Sequence, residues 1–286
     1  ATAGSRHLDL AGAITVTTAL MLGVFGIVGG NQAGWLSMRT LGILGAAGAL
    51  LLTFFVIESK VSVPLLPLRF FRSRNFSTSN TIGVLLAAAM FAWFFLSALY
   101  LQLVLERSAM EVGLAFLPSN LIMAACSLGL SARLVVRFGI RVPLSAGLAM
   151  AAVGLLLFVR APVDGQILSD VLPAMLLLGL GGGIALNPLL LAAMSDTDAS
   201  DSGLASGVVN TSFMMGGALG LAALASLAAA KTTALSASGA IAKEALLGGY
   251  HWAFAAGALF AATASAAAWL LREPESAPPA GHAPLH

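Results

Sequence analysis

The sequence predicts an all-α polytopic membrane protein with eight transmembrane helices. Three observations carry that prediction. Of the 286 residues, 59% are hydrophobic and only 9% are charged, with a mean hydropathy of +0.95; a soluble domain carries about 25% charged residues. The apolar residues fall into runs of roughly 20, the length that crosses a hydrocarbon core as a helix. One run, Ser202–Leu224, has no charge and no polar stripe, so it suits lipid and not water. Within it Gly216 and Gly220 stand four apart and form a small-xxx-small face for close helix contact.

The elements follow in order. The first span is expected at about Leu10–Gly29, after the polar R-H-L-D. The turn G-N-Q-A-G-W leads to the second, about Met38–Ile57, which stops at Glu58. The third, about Asn80–Leu103, is aromatic at Phe91, Trp93, Phe94 and Phe95. The fourth covers about Glu111–Leu130, the fifth Val142–Val159 and the sixth Val171–Ala193. The seventh is about Ser202–Ala229 and the eighth about Tyr250–Leu271. Residues 1–58 thus hold two helices, 59–77 a loop, 78–272 six helices, and 273–286 a Pro- and Ala-rich tail expected to be disordered. The loop contains P-L-L-P-L and R-F-F-R-S-R. Pro64 and Pro67 would break a water-exposed helix, so the loop reads as an amphipathic interfacial segment with its arginines near anionic headgroups.

An even number of spans puts both termini on one side, and the basic residues choose which. Arg6, Lys60, Arg69, Arg72, Arg74, Arg133, Arg137, Arg141 and Arg272 share one side; Arg39, Arg107, Arg160, Lys231 and Lys243 share the other. The richer side is expected to be cytoplasmic, in the cell inner membrane. Trp35, Trp252 and Trp269 fall where aromatic belts sit. The chain begins with Ala1 and enters a span almost at once without a signal-peptide pattern, so a fragment or processed form is expected.

Several functions are excluded by what the residues lack. A net charge of +2 with no basic stripe leaves nothing to track a nucleic acid. The single cysteine, Cys126, allows no intrachain disulfide, and His7, His251, His282 and His286 have no partner at ligand spacing, so no metal and no cofactor is implied. G-L-G-G-G at Gly179–Gly183 lacks the lysine and hydroxyl of a phosphate loop, and neither H-E-x-x-H nor G-x-S-x-G occurs. No catalytic residue is proposed and an enzyme is not expected. Asp196, Asp198 and Asp201 read as a solvated face that helps cap the next helix.

Ionisable residues inside spans mark proton or ion coupling, and here they lie only near span ends, as Asp9, Arg39, Glu58, Glu106 and Glu111 do. The uncharged polar residues are more informative. Asn120 follows Pro118, which frees a backbone carbonyl and bends its helix. Asn187 precedes Pro188, where the sixth span is expected to break locally beside a cavity. Asn210 and Thr211 sit in the seventh span, and Tyr100 and Gln102 close the third. Met214 and Met215 add soft apolar surface. Each polar residue could instead cap a freed carbonyl or hold a helix–helix contact. As a set, Phe94, Gln102, Asn120, Asn187, Asn210 and Met214 are the candidate cavity residues.

The chain resembles the second half of a fourteen-span drug:proton antiporter of the major facilitator superfamily. The resemblance rests on L-D-L-A-G at Leu8–Gly12, G-W at Gly34–Trp35, F-V-I-E at Phe55–Glu58 and P-L-L-P-L-R-F-F at Pro64–Phe71. It continues through L-Y-L-Q at Leu99–Gln102, G-L-A-F-L-P at Gly113–Pro118, R-x-G-x-R at Arg137–Arg141, and the seventh-span motifs S-G-L-A-S-G-V-V-N-T and G-G-A-L-G. The resemblance implies that the last six helices form a C-terminal bundle, which rocks against an N-terminal six-helix bundle around a shared cavity. It also implies proton-coupled export of small amphipathic compounds. The gate role of the basic loop falls on Arg133, Arg137, Gly139 and Arg141, with Gly139 permitting a tight turn and the arginines reaching the facing loop. The first bundle, which in such carriers holds the coupling acid, is missing, and Phe213 and Met214 stand where the family keeps an Arg-Gln pair. The alternative reading is a non-transporting membrane scaffold or partner-binding subunit derived from such a carrier.

Overall fold

The computed structural model describes residues 9–61, 68–197 and 201–273. Within them, eight spans are long and apolar enough to cross a membrane. They comprise α1 (Leu10–Ala33), α2 (Met38–Glu58), α3 (Arg74–Leu99), α4 (Ala109–Ala125) with α5 (Ser131–Phe138), α6 (Arg141–Phe158), α7 (Leu172–Met194), α8 (Ser202–Ala237) and α9 (Ala242–Ala267). A π-helical turn at Cys126–Leu130 joins α4 and α5 into one span; others end α3 at Tyr100–Val104 and open α7 at Ile167–Val171. Pro64, Pro67, Asp198 and the tail beyond Glu273 lie outside the described residues, as does Arg6.

Helix starts are set by side-chain caps that satisfy otherwise orphaned amides. Asp9 accepts from the Gly12 amide, Ser37 from Thr40 and Ser73 from Phe76. Ser108 and Glu111 form a reciprocal capping box on α4. The Ser73 cap starts α3 at Arg74, inside the segment expected to be loop. α8 runs on past Ala229 to Ala237, and on this extension Lys231 keeps its ammonium 4.3 Å over the Trp252 ring, a cation–π seat. Asp201 stands just before α8 but does not cap it; its carboxylate pairs with Arg69 instead.

Helices α3–α9 form one bundle. α7 is packed by α3, α4 and α6; α9 by α3, α6 and α8; α3 lies along α8. Trp93, Tyr100, Phe158, Phe254, Leu144 and Leu155 are fully buried at its centre. The hairpin α1–α2 stands apart, docked through α1 on α8, where the Ser226 hydroxyl donates to the Ile27 carbonyl at 3.0 Å.

Lipid offers no hydrophobic drive between helices, so contact depends on close packing of small residues. The run G-L-G-G-G serves that purpose. A Cβ on Gly183 would lie 2.5 Å from the Met123 carbonyl oxygen in α4, and Gly179 meets the Ser119 backbone on the same side. A Cβ on Gly181 would lie 2.5 Å from the Gly147 carbonyl oxygen in α6, while Gly182 faces Met90 of α3. Gly216 and Gly220, as expected, meet Val84 and Ala88 of α3.

The sixth span is not broken. α7 is continuous through Asn187 and Pro188, because the Ile184 carbonyl that Pro188 cannot pair receives the Ser131 hydroxyl at 2.8 Å. One residue away, the Asn187 amide donates to the Ser127 carbonyl at 2.5 Å, inside the π-helical turn. The two bonds tie α7, at its proline, to the α4–α5 span at its π-helical turn.

Candidate functional site

The loops of the basic end converge. Ser73 donates to Asp196, and the Asn75 amide donates to the Ser195 hydroxyl at 2.9 Å and the Arg272 carbonyl at 3.1 Å. The Asn75 oxygen accepts from the Arg272 amide at 2.7 Å, closing a reciprocal pair, and Arg69 meets Asp201 at 2.9 Å. Gly139 ends α5 at φ +75°, a conformation that favours glycine. The chain then turns directly into α6, whose first amides point outward. The Glu273 carboxylate fills that position, accepting from Ile140 at 2.9 Å and Arg141 at 3.0 Å, with the Arg141 guanidinium 3.9 Å away. A crevice of about 690 Å³ opens beside it, between Val135, Phe138, Leu191, Met194 and Glu273.

A second cleft, about 350 Å³, opens between α3, α7 and α8. Leu186, Leu189, Leu190, Val209, Phe213 and Met214 give it apolar walls, and Asn80, Ser206 and Asn210 supply its polar atoms. α3 and α8 touch at Gly216–Val84 and part below it, and the cleft lies in that gap. Phe213 is held edge-on by Phe91, with ring centroids 6.3 Å apart.

The six candidate cavity residues divide. Asn210 and Met214 come together in the α3–α7–α8 cleft. Phe94 stacks on Phe116 at 5.5 Å, packing α3 against α4. Asn187 is engaged by Ser127. Gln102 and Asn120 are exposed, away from the cleft, and their amides have no hydrogen bond among the described residues. Of the gate residues, Arg133 and Arg137 are exposed, and Arg137 lies 5.2 Å over the Phe138 ring. Arg141 meets Glu273 of the same chain. Sequence reasoning missed Asn80, Ser206 and Glu273. Asn80 opens the expected third span, and Asn80 and Gly83 repeat at the helical spacing that puts both on one face.

The opposite end is closed by other contacts. Lys243 at the start of α9 meets Glu106 at 2.7 Å, and the hydrogen bond and charge of that ammonium hold the Glu106 carboxyl below its usual range. Tyr100 donates to the Pro162 carbonyl at 2.7 Å, and the His251 ring shares a hydrogen bond with the Ala161 carbonyl at 2.9 Å.

Comparison with known proteins places this architecture. The family model described as Major Facilitator Superfamily matches residues 10–221. The cephamycin export protein of Amycolatopsis lactamdurans is 33% identical over 232 residues, covering 80% of this chain and 48% of that protein. A lincomycin resistance protein of Streptomyces lincolnensis is 35% identical over 230 residues, covering 79% and 47%. The multidrug resistance protein Stp of Mycobacterium tuberculosis is 30% identical over 226 residues, covering 79% and 42%. The chain spans about half the length of these curated relatives. Eight apolar spans, glycine-mediated packing and the match over most of its length give one conclusion: this multi-pass membrane chain belongs to the major facilitator superfamily.

Proposed function

We propose that the chain is the C-terminal part of a proton-coupled exporter of small amphipathic compounds, with α1 and α2 as extra helices beside its six-helix bundle. The observation that carries this reading is the set of exposed polar residues on α4 and α8. The α4–α5 span is little buried, as are α1 and α2, whereas α3 and α7 lie inside the bundle. Asn120 on α4 and Asn210 and Thr211 on α8 are exposed. Hydroxyls on other exposed helix faces satisfy themselves locally: Thr53 donates to the Ala49 carbonyl and Thr263 to that of Leu259. The Asn120 and Asn210 amides have no such bond among the described residues, and an unsatisfied amide facing hydrocarbon is costly. They are suited to water or to another protein surface. A second bundle across a central cavity supplies both.

In this reading the basic end is cytoplasmic, following the arginine bias. The residues Arg133, Arg137, Gly139 and Arg141 stand at the inner gate, with Arg141 held by Glu273 on its own side. Coupling acids are contributed by the first bundle. The names of the relatives, which print export or resistance for cephamycin, lincomycin and multiple drugs, support amphipathic substrates. Loss of the Arg-Gln pair to Phe213 and Met214 favours apolar ones.

The test is co-reconstitution with the N-terminal half of the lincomycin resistance protein in proteoliposomes under a pH gradient. Dye export by the pair, and by neither half alone, is expected. An inserted, co-purifying pair that exports nothing overturns the proposal and leaves the scaffold reading.

A further inference from the structure

We propose that the turn end of the α1–α2 hairpin binds one anionic phospholipid, with the phosphate on Arg39 and an acyl chain along α1. The proposal needs only that the chain spans a membrane and does not rest on the export reading.

Two depressions adjoin on the hairpin. The upper, about 270 Å³, runs between Ala33 and Phe25 of α1 and includes Arg39 at the start of α2. The lower, about 500 Å³, shares Phe25 and Val28 with it and continues to Leu20, with Ala218 of α8 at its side. Met21, Phe25 and Val28 recur at i, i+4 and i+7, so they form one stripe, and each is more than half exposed. A Cβ on Gly29 would meet nothing within 4 Å, so the groove is open there.

Length and charge define the occupant. At about 1.5 Å of rise per residue, Ala33 to Leu20 spans about 20 Å of α1. One leaflet of hydrocarbon is about 15 Å deep, with the headgroups above it. The groove therefore starts at an interface and ends near the bilayer centre, the reach of one acyl chain. Arg39 is the only polar side chain among its lining residues, and it is exposed. Three other basic residues at that end of the molecule are engaged: Arg107 meets Glu111, Lys243 meets Glu106, and Lys231 lies over the Trp252 ring. The Arg39 guanidinium has no ion pair or hydrogen bond among the described residues. The two acids of the hairpin, Asp9 and Glu58, stand at its opposite end and cannot compete for it. An interfacial guanidinium draws phosphate oxygens. A zwitterionic headgroup brings its own ammonium to that phosphate, whereas an anionic one leaves it to the arginine.

The probes are phosphatidylglycerol and phosphatidylcholine carrying a diazirine at mid-chain, each a minor fraction of phosphatidylcholine nanodiscs that hold the full chain. After illumination, cross-links are mapped by peptide mass spectrometry on Leu20–Val28 and on Leu259, which is exposed on α9 and reports ordinary boundary lipid. Phosphatidylglycerol is expected to label the groove about fivefold more than phosphatidylcholine, the effect of one interfacial arginine, and the two are expected to label Leu259 equally. Arg39→Gln is expected to erase the groove preference. Gly29→Leu, whose first added carbon meets nothing within 4 Å, is expected to cut groove labelling by either lipid. Retained labelling of Leu259 shows that both variants insert. No preference in the parent chain, the same preference at Leu259, a preference that survives Arg39→Gln, or groove labelling unmoved by Gly29→Leu overturns the proposal. Loss of groove labelling on reconstitution with an N-terminal half gives the groove to a protein surface and overturns it as well.

Discussion

Gly181→Leu is expected to prevent the bundle from folding, whereas Gly42→Leu is expected to leave it intact. At Gly181 the first added carbon already lies 2.5 Å from the Gly147 carbonyl oxygen and 2.9 Å from the Ala151 amide nitrogen. Both obstacles are backbone, so no rotamer change makes room. The approach is reciprocal, since a Cβ on Gly147 would lie 2.7 Å from the Gly181 carbonyl oxygen. Moving α6 off α7 also uncovers Leu148, Ala151, Leu178 and Ala185, each nearly fully buried. Overpacking of this kind costs about 1–3 kcal/mol where side chains can adjust, and more where they cannot. At Gly42 in α2, nothing lies within 4 Å among the described residues. Thermal unfolding in micelles, followed by the fluorescence of the four tryptophans, separates the two. Equal shifts for both variants would contradict this packing scheme.

The second large effect is expected at the basic end. Arg141 and Glu273 are 34% and 40% exposed, so their ion pair adds little by itself. The weight falls on the carboxylate at the first amides of α6, where a negative charge meets unpaired donors and the positive end of the helix. Glu273→Gln removes the charge and one of the two acceptors. A local loss of about 1–2 kcal/mol follows, read as roughly tenfold faster amide exchange at Ile140 and Arg141. Because the neighbouring Arg272 is paired to Asn75 through its backbone, exchange at the start of α3 rises with it. Exchange unchanged at Ile140 would show that the carboxylate does not hold the turn.

The membrane architecture was legible because its cause is local. Hydrocarbon demands long apolar helices with their backbone bonds made internally, and that demand is written in every run of the sequence. Ends were less legible, since a serine such as Ser73 starts a helix before the apolar run begins. Asn210 and Met214, four apart on α8, line one cleft, a proximity that the helical period makes readable. Asn187 binds a carbonyl in another span, and no local pattern shows that the π-helical turn leaves Ser127 open. Pro188 suggested a break for the same reason: the hydroxyl that repairs it is Ser131, more than fifty residues earlier. Glu273 was assigned to the tail, yet it is the partner of Arg141.

The central claim is that Asn120 and Asn210 meet water in a cavity, not lipid. Single cysteines at Asn120, Asn210 and the exposed lipid-side Leu259 of α9, in a chain with the buried Cys126 replaced by alanine, test it directly. The pair reconstituted with an N-terminal half is treated with a charged, water-soluble thiol reagent. The account predicts labelling of Asn120→Cys and Asn210→Cys and none of Leu259→Cys. Labelling of Leu259→Cys alone, or silence at both asparagine positions, would contradict it.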